Sequence, residues 1–181
     1  MSPPSDIVRL WGFPPRLGST RVPAMSPEKD PLPVSGFFTC GEHLFPVRVY
    51  YEDTDLSGVV YHANYLRYME RARSDMLRVA GIDQRAAHED GTGTYAVAQV
   101  NIHYRAPARL DDALVVRSRI DAVSAVRCTI AQSVWRGETL LSDGGVTVAF
   151  IDPAGRPRRQ PAQWRERFNQ LRNSMENLPC P

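Results

Sequence analysis

Four side chains able to move protons or attack acyl groups fall between positions 52 and 62: Glu52, Asp53, Asp55 and His62. The two aspartates follow an alternating segment, Val47-Arg-Val-Tyr-Tyr51, and Gly58 marks a turn behind them. An amphipathic helical pattern then starts near His62. A carboxylate placed against the start of a helix faces backbone N–H groups that lack intrahelical acceptors and are able to hold an oxyanion. Such a pairing suits hydrolysis of an activated acyl group.

The same residues admit three other readings. Asp-Thr-Asp-Leu-Ser-Gly is ordinary turn sequence, because Asp side chains cap nearby backbone N–H groups, and spacing alone favours this over catalysis. A metal site built from Glu52, Asp53, Asp55 and His62 is opposed by strand geometry, since adjacent residues point to opposite faces. The third is a haloacid-dehalogenase-like phosphatase, which opens on an apolar strand ending in Asp-x-Asp and uses magnesium. Against it, the strand here alternates rather than running continuously apolar, as a buried parallel strand would. Its usual downstream lysine is also missing, because Lys29 is the one lysine of the chain.

The elements that must position these groups are legible as patterns. Val47, Val49 and Tyr51 share one face of a strand expected over 45–51. Tyr65, Met69, Ala72, Met76 and Ala80 recur at helical spacing over 62–80, with Gly81 as the stop. Charged pairs such as Arg71 with Asp75 are assigned to the solvated side of that helix. Glu70 is expected to pair locally with Arg73 or Ser74. Strands are expected over 95–104, 113–123, 127–135 and 139–151, separated by turn signals at Pro107, Asp111-Asp112, Arg136-Gly137 and Asp152-Pro-Ala-Gly155. A short helix over 161–171 closes the pattern, with Pro161 in its first turn. One long helix against a curled antiparallel sheet is an α+β layout.

At 181 residues the chain holds one domain with an appendage. Eight of its fifteen prolines lie in residues 1–42, which show no sustained period of either kind and read as a disordered extension. Met25-Ser-Pro repeats the first three residues and offers a second possible translation start. The domain is expected over 43–172, followed by a flexible tail over 173–181. A net charge of +2 does not call for nucleic acid, and no apolar run reaches the length of a membrane span. Cys40, Cys128 and Cys180 are odd in number and far apart, which argues against a disulfide framework and for a reducing cytoplasm.

Residues 46–85 carry Pro-Val-Arg-Val-Tyr-Tyr-Glu-Asp-Thr-Asp, Gly-Val-Val-Tyr-His-Ala-Asn-Tyr and Met-Glu-Arg-Ala-Arg-Ser. Together with Tyr104-Arg-Ala-Pro-Ala-Arg-Leu-Asp-Asp112 and Ile151-Asp-Pro153, they resemble the hotdog-fold acyl-CoA thioesterases associated with the Tol–Pal system. Those belong to the 4-hydroxybenzoyl-CoA thioesterase superfamily. Leu56-Ser57 departs from the small Ala/Gly pair expected there. The resemblance implies an acyl-CoA thioesterase in which Asp55 is nucleophile or general base. His62 and Tyr51 would support it, and the backbone N–H groups of Tyr61 and His62 would form the oxyanion hole. It implies no metal and no cofactor, an acyl-CoA substrate with acyl-carrier protein as a further possible donor, and a homodimer or homotetramer. Nucleic acid and membrane insertion are not implied. Arg105, Arg109, Arg158 and Arg159 are candidates for the CoA phosphates by charge alone. The competing class is a non-catalytic hotdog scaffold that binds CoA or acyl-carrier protein, for which a carboxylate at Asp55 would be unnecessary.

Overall fold

The computed structural model describes residues 33–174. Among these, six strands form one antiparallel sheet in the order β1-β2-β4-β5-β6-β3. The strands are β1 (Phe37–Thr39), β2 (Glu42–Arg48), β3 (Thr94–Tyr104), β4 (Ala113–Val123), β5 (Arg127–Arg136) and β6 (Thr139–Ile151). Three helices accompany them: α1 (His62–Val79), α2 (Gln84–Glu89) and α3 (Ala162–Asn173). The long helix α1 packs on β2, β4 and β5.

Alternation decides which face meets the helix. Leu114, Val116, Ser118 and Ile120 of β4 are buried, as are Cys128, Ile130, Gln132 and Val134 of β5. They meet the α1 stripe Tyr65, Met69, Ala72, Met76 and Ala80, all buried as the helical spacing requires. A polar layer crosses this core. Gln132 Nε2 donates to the Met69 carbonyl and to Ser118 Oγ, and Arg73 Nη1 donates to Gln132 Oε1. Toward the start of α1 the core gathers Val47, Val49, Val60, Tyr65 and Leu114. Toward its end, Phe168 and Leu171 of α3 close over Met76, Leu77 and Ile130. Gly81, at φ +78°, stops α1 through an N–H bond to the Arg78 carbonyl at 3.0 Å.

Several expectations are corrected. The domain does not begin at His43, because β1 precedes it and pairs with β2 through a two-residue turn, Cys40-Gly41. Both turn residues have positive φ (46° and 76°), the geometry whose twist matches a hairpin. Segment 34–42 is therefore part of the fold, and the remainder of the expected extension, residues 1–32, lies outside the described residues. At the other end α3 includes Asn173, and residues 175–181 likewise lie outside. Cys128 is a buried thiol whose pKa burial pushes up to about 12. The helix α2 was not foreseen, being a single short run capped by Asp83, whose side chain accepts from Ala86 N–H.

Asp75 is the largest departure. It is 2% exposed rather than solvated, and Arg71 is not its partner. His43 Nε2 lies 3.0 Å from Oδ2, Gly36 N–H donates to Oδ2 at 2.7 Å, and Ser35 Oγ and Arg78 Nη1 donate to Oδ1. The carboxylate thus ties the strand-leading segment 35–36 and the β1–β2 hairpin to the helix. Gly36 fits because a Cβ there would sit 2.3 Å from the Leu44 carbonyl oxygen.

Candidate active site

The path from β2 to α1 builds the site. The strand ends at Arg48, and Tyr51–Asp53 form a 3-10 turn. Asp53 drives that turn: its Oδ2 accepts from Tyr50 N–H at 2.8 Å, and its side chain folds inward to 6% exposure. The Asp53 carbonyl accepts from Tyr61 N–H at 2.9 Å and from Asn64 Nδ2 at 2.9 Å. One residue therefore fastens the loop to the first turn of α1. Beside it lies the buried Tyr68 hydroxyl, whose pKa is pushed up by burial and then by the Asp53 carboxylate.

Asp55 is held differently. A bridge between Thr54 and Val60 closes the loop, with Asp55 N–H donating to the Val59 carbonyl at 3.0 Å. Gly58, at φ +73°, turns the chain and donates to the Asp55 carbonyl at 2.9 Å. The Asp55 side chain is exposed at the tip, where Ser57 N–H donates to Oδ1 at 2.8 Å and Ser57 Oγ donates to the same oxygen. These two bonds hold the Asp55 carboxyl below the usual carboxylate range, and the nearby His62 adds to the effect. Oδ2 has no hydrogen-bond partner among the described residues.

The helix begins two residues after the bridge. Tyr61 is its N-cap and supplies no side-chain cap. Its N–H is committed to the Asp53 carbonyl, so Tyr61 cannot be the oxyanion donor expected from the resemblance. The N–H groups of His62 and Ala63 donate to no acceptor among the described residues, and they sit at the positive end of an 18-residue helix. The His62 ring packs against Tyr61 at 4.4 Å and stands perpendicular to Tyr104 at 6.2 Å between centroids. Tyr104, at the end of β3, donates its hydroxyl to the His62 carbonyl at 3.1 Å. Val60, His62, Tyr65, Tyr104, Ala106 and Pro107 border a cleft of about 270 Å³ beside this helix start. Tyr65 is fixed by accepting from Ala108 N–H at 2.9 Å.

The structure thus brings together Asp55, His62 and the open end of α1. Tyr51 does not join them. It is 83% exposed, because the 3-10 turn begun at Tyr51 takes it off the face shared by Val47 and Val49. Nor do Glu52, Asp53, Asp55 and His62 converge: among the described residues no group of three or more His, Cys, Asp or Glu is placed to hold a metal ion. Of the arginines, Arg105 is engaged by Asp143 at 2.7 Å, and Arg158 donates to the carbonyls of Gly91 and Thr92. Tyr104 is the functional neighbour that the sequence left unmarked, since it reaches the site from 42 residues away.

An antiparallel sheet curled about one long helix, with a carboxylate loop running into the start of that helix, defines the hotdog class. Comparison with known proteins narrows this. The model of the thioesterase superfamily matches residues 57–142. The acyl-CoA thioester hydrolase YbgC of Escherichia coli O6:H1 is 40% identical over 128 residues, covering 70% of this chain and 95% of that protein. The acyl-CoA thioesterase YbgC of Haemophilus influenzae is 42% identical over 108 residues, 60% of this chain and 79% of the relative. The crystal structure of a probable thioesterase from Bartonella henselae matches with a TM-score of 0.63 at 37% identity, over 66% of this chain and 99% of that one. The chain belongs to the thioesterase superfamily and, within it, to the YbgC group of thioester hydrolases.

Proposed function

We propose that this enzyme hydrolyses acyl-coenzyme A, releasing a free acid and CoA, with Asp55 as the reacting carboxylate. The carrying observation is that Ser57 holds Asp55 Oδ1 and leaves Oδ2 without a partner among the described residues, in the loop that leads directly into the uncapped start of α1. The thioester carbonyl is polarised by the His62 and Ala63 N–H groups, which bind the tetrahedral oxyanion more strongly than the ground-state carbonyl. These replace the Tyr61–His62 pair implied by resemblance.

Two routes use the same geometry. In one, Asp55 Oδ2 attacks the carbonyl carbon, the C–S bond breaks, CoA leaves as thiolate, and water hydrolyses the resulting mixed anhydride. In the other, Asp55 takes a proton from water as hydroxide adds to the carbonyl, and collapse expels the thiolate. After a single turnover in ¹⁸O-water, label in Asp55 identifies the first route, since water opening the anhydride at its Asp55 carbonyl leaves ¹⁸O on the enzyme. The exposed His62 side chain makes no hydrogen bond among the described residues and is free to orient Asp55 or that water. Tyr51 has a part only if a ligand or partner covers its exposed face.

CoA substrates place the enzyme in the cytoplasm, where such thioesters are made. Acyl-carrier protein is a second acyl donor to be tested, and a role beside the Tol–Pal system rests on kinship alone. A second copy of the chain is expected along β3, the exposed sheet edge, giving at least a dimer. The test is a panel of aliphatic and aromatic acyl-CoA thioesters read by release of the CoA thiol. Turnover of at least one class supports the proposal. Binding of CoA thioesters with no turnover of any would turn it toward the scaffold reading.

A further inference from the structure

We propose that Ser57 is a positioning residue for the reaction, fixing the Asp55 carboxylate so that Oδ2 alone faces the acyl group. This rests on the reading of Asp55 given above. Ser57 N–H and Ser57 Oγ both donate to Oδ1, while Oδ2 receives nothing among the described residues. Two donors on one oxygen remove the free rotation an exposed Asp would otherwise have, and the Asp55 backbone is itself fixed by Val59 and Gly58. The neighbour Leu56 is fully exposed and contributes no restraint. A small residue lacking a hydroxyl, as expected here from kinship, would supply only the N–H, so the second bond is a property of this chain.

A hydrogen bond to the ionised form favours it, so Ser57 also sets the pH at which Asp55 becomes competent. The charges around Asp55 are few. His62 faces it from the start of α1. Asp53 turns inward to Tyr50 N–H, and Arg105, on the cleft wall, is engaged by Asp143. The hydroxyl of Ser57 is the largest of the influences that lower the Asp55 pKa.

The experiment compares wild type, Ser57→Ala and Ser57→Thr. Each is measured for the pH dependence of kcat/KM with an acyl-CoA and, without turnover, for the ¹³C carboxyl titration of Asp55. Ser57→Ala is expected to move both the acid limb and the titration to higher pH, lowering activity at acid pH while KM changes little. Ser57→Thr, which keeps a hydroxyl, should return both toward wild type. A Ser57→Ala enzyme whose titration and acid limb stay in place would overturn the proposal. An unmoved acid limb together with a shifted titration would instead show that Asp55 is not the group controlling turnover, which tells against the function and leaves the hydrogen bond intact.

Discussion

Two aspartates, two residues apart, divide the work between chemistry and structure. Asp53 is buried and bonded to Tyr50 N–H, and its carbonyl holds Tyr61 and Asn64. Replacing it by Ala removes the charged acceptor of a partly buried hydrogen bond from the Tyr50 N–H, a loss of about 1–3 kcal/mol. Asp53→Ala should therefore lower the Tm, with activity recovering on cooling if only folding is affected. Kinship singled out Asp55 over Asp53 in the sequence, but not the way Asp53 is held. Asp53's inward turn depends on the 3-10 geometry, which a strand pattern over 45–51 conceals. Tyr104 was equally hidden, because no local spacing links a strand end to a helix start far upstream in the chain.

At the scale of elements, the long helix, the C-terminal helix and five of the six strands were legible, β2 with its bounds displaced by three residues, since most carry a sustained period of 3.6 or 2. The β1–β2 hairpin was not, because Cys40 occupies a positive-φ turn position more typical of Asn or Gly. This hairpin is bound to α1 through the His43–Asp75 pair, and that contact is sensitive to acid. Burial lowers the His43 pKa below its ordinary value despite the Asp75 carboxylate. The His43 Nδ1 atom is buried without a partner among the described residues, which suits an unprotonated nitrogen and penalises the doubly protonated ring. Burial opposes ionisation of Asp75, but the bonds from Gly36, Ser35 and His43 outweigh it and hold its pKa below the ordinary value. The signs agree. A depressed histidine contributes stability that is lost as pH falls below about 6.5, where the unfolded chain takes up the proton first, and the carboxylate adds a further loss below about 3.8. Thermal denaturation should therefore show a Tm falling between pH 7 and 5, and His43→Asn should flatten that slope. Gly36→Ala should cost about 1–3 kcal/mol at any pH, because its Cβ meets the Leu44 carbonyl.

For the molecule as a whole, β3 is the outstanding surface. It is an 11-residue edge strand on which Val97, Val100 and Tyr104 are 54%, 41% and 47% exposed. A long, partly apolar, unpaired edge invites a strand from another chain. Tyr104 also borders the cleft, so a partner on this edge would cover the site. Val100→Lys should lower the sedimentation-derived mass to that of one chain and reduce turnover with it. A variant that stays associated and fully active would place the interface elsewhere. Hydrolysis should survive exhaustive chelation, since the attack and the oxyanion contacts are assigned to Asp55 and the α1 N–H groups. Loss of rate restored by a divalent ion would contradict that assignment.

The central claim is that the Asp55 carboxylate performs the hydrolysis, and Asp55→Asn tests it most directly. The exchange keeps size and turn hydrogen bonding at an exposed position while removing the base and nucleophile. With the acyl-CoA best hydrolysed by wild type, kcat/KM should drop by at least about 100-fold, with an unchanged Tm and oligomeric state. A folded Asp55→Asn enzyme that hydrolyses the same thioester at close to the wild-type rate would contradict the account.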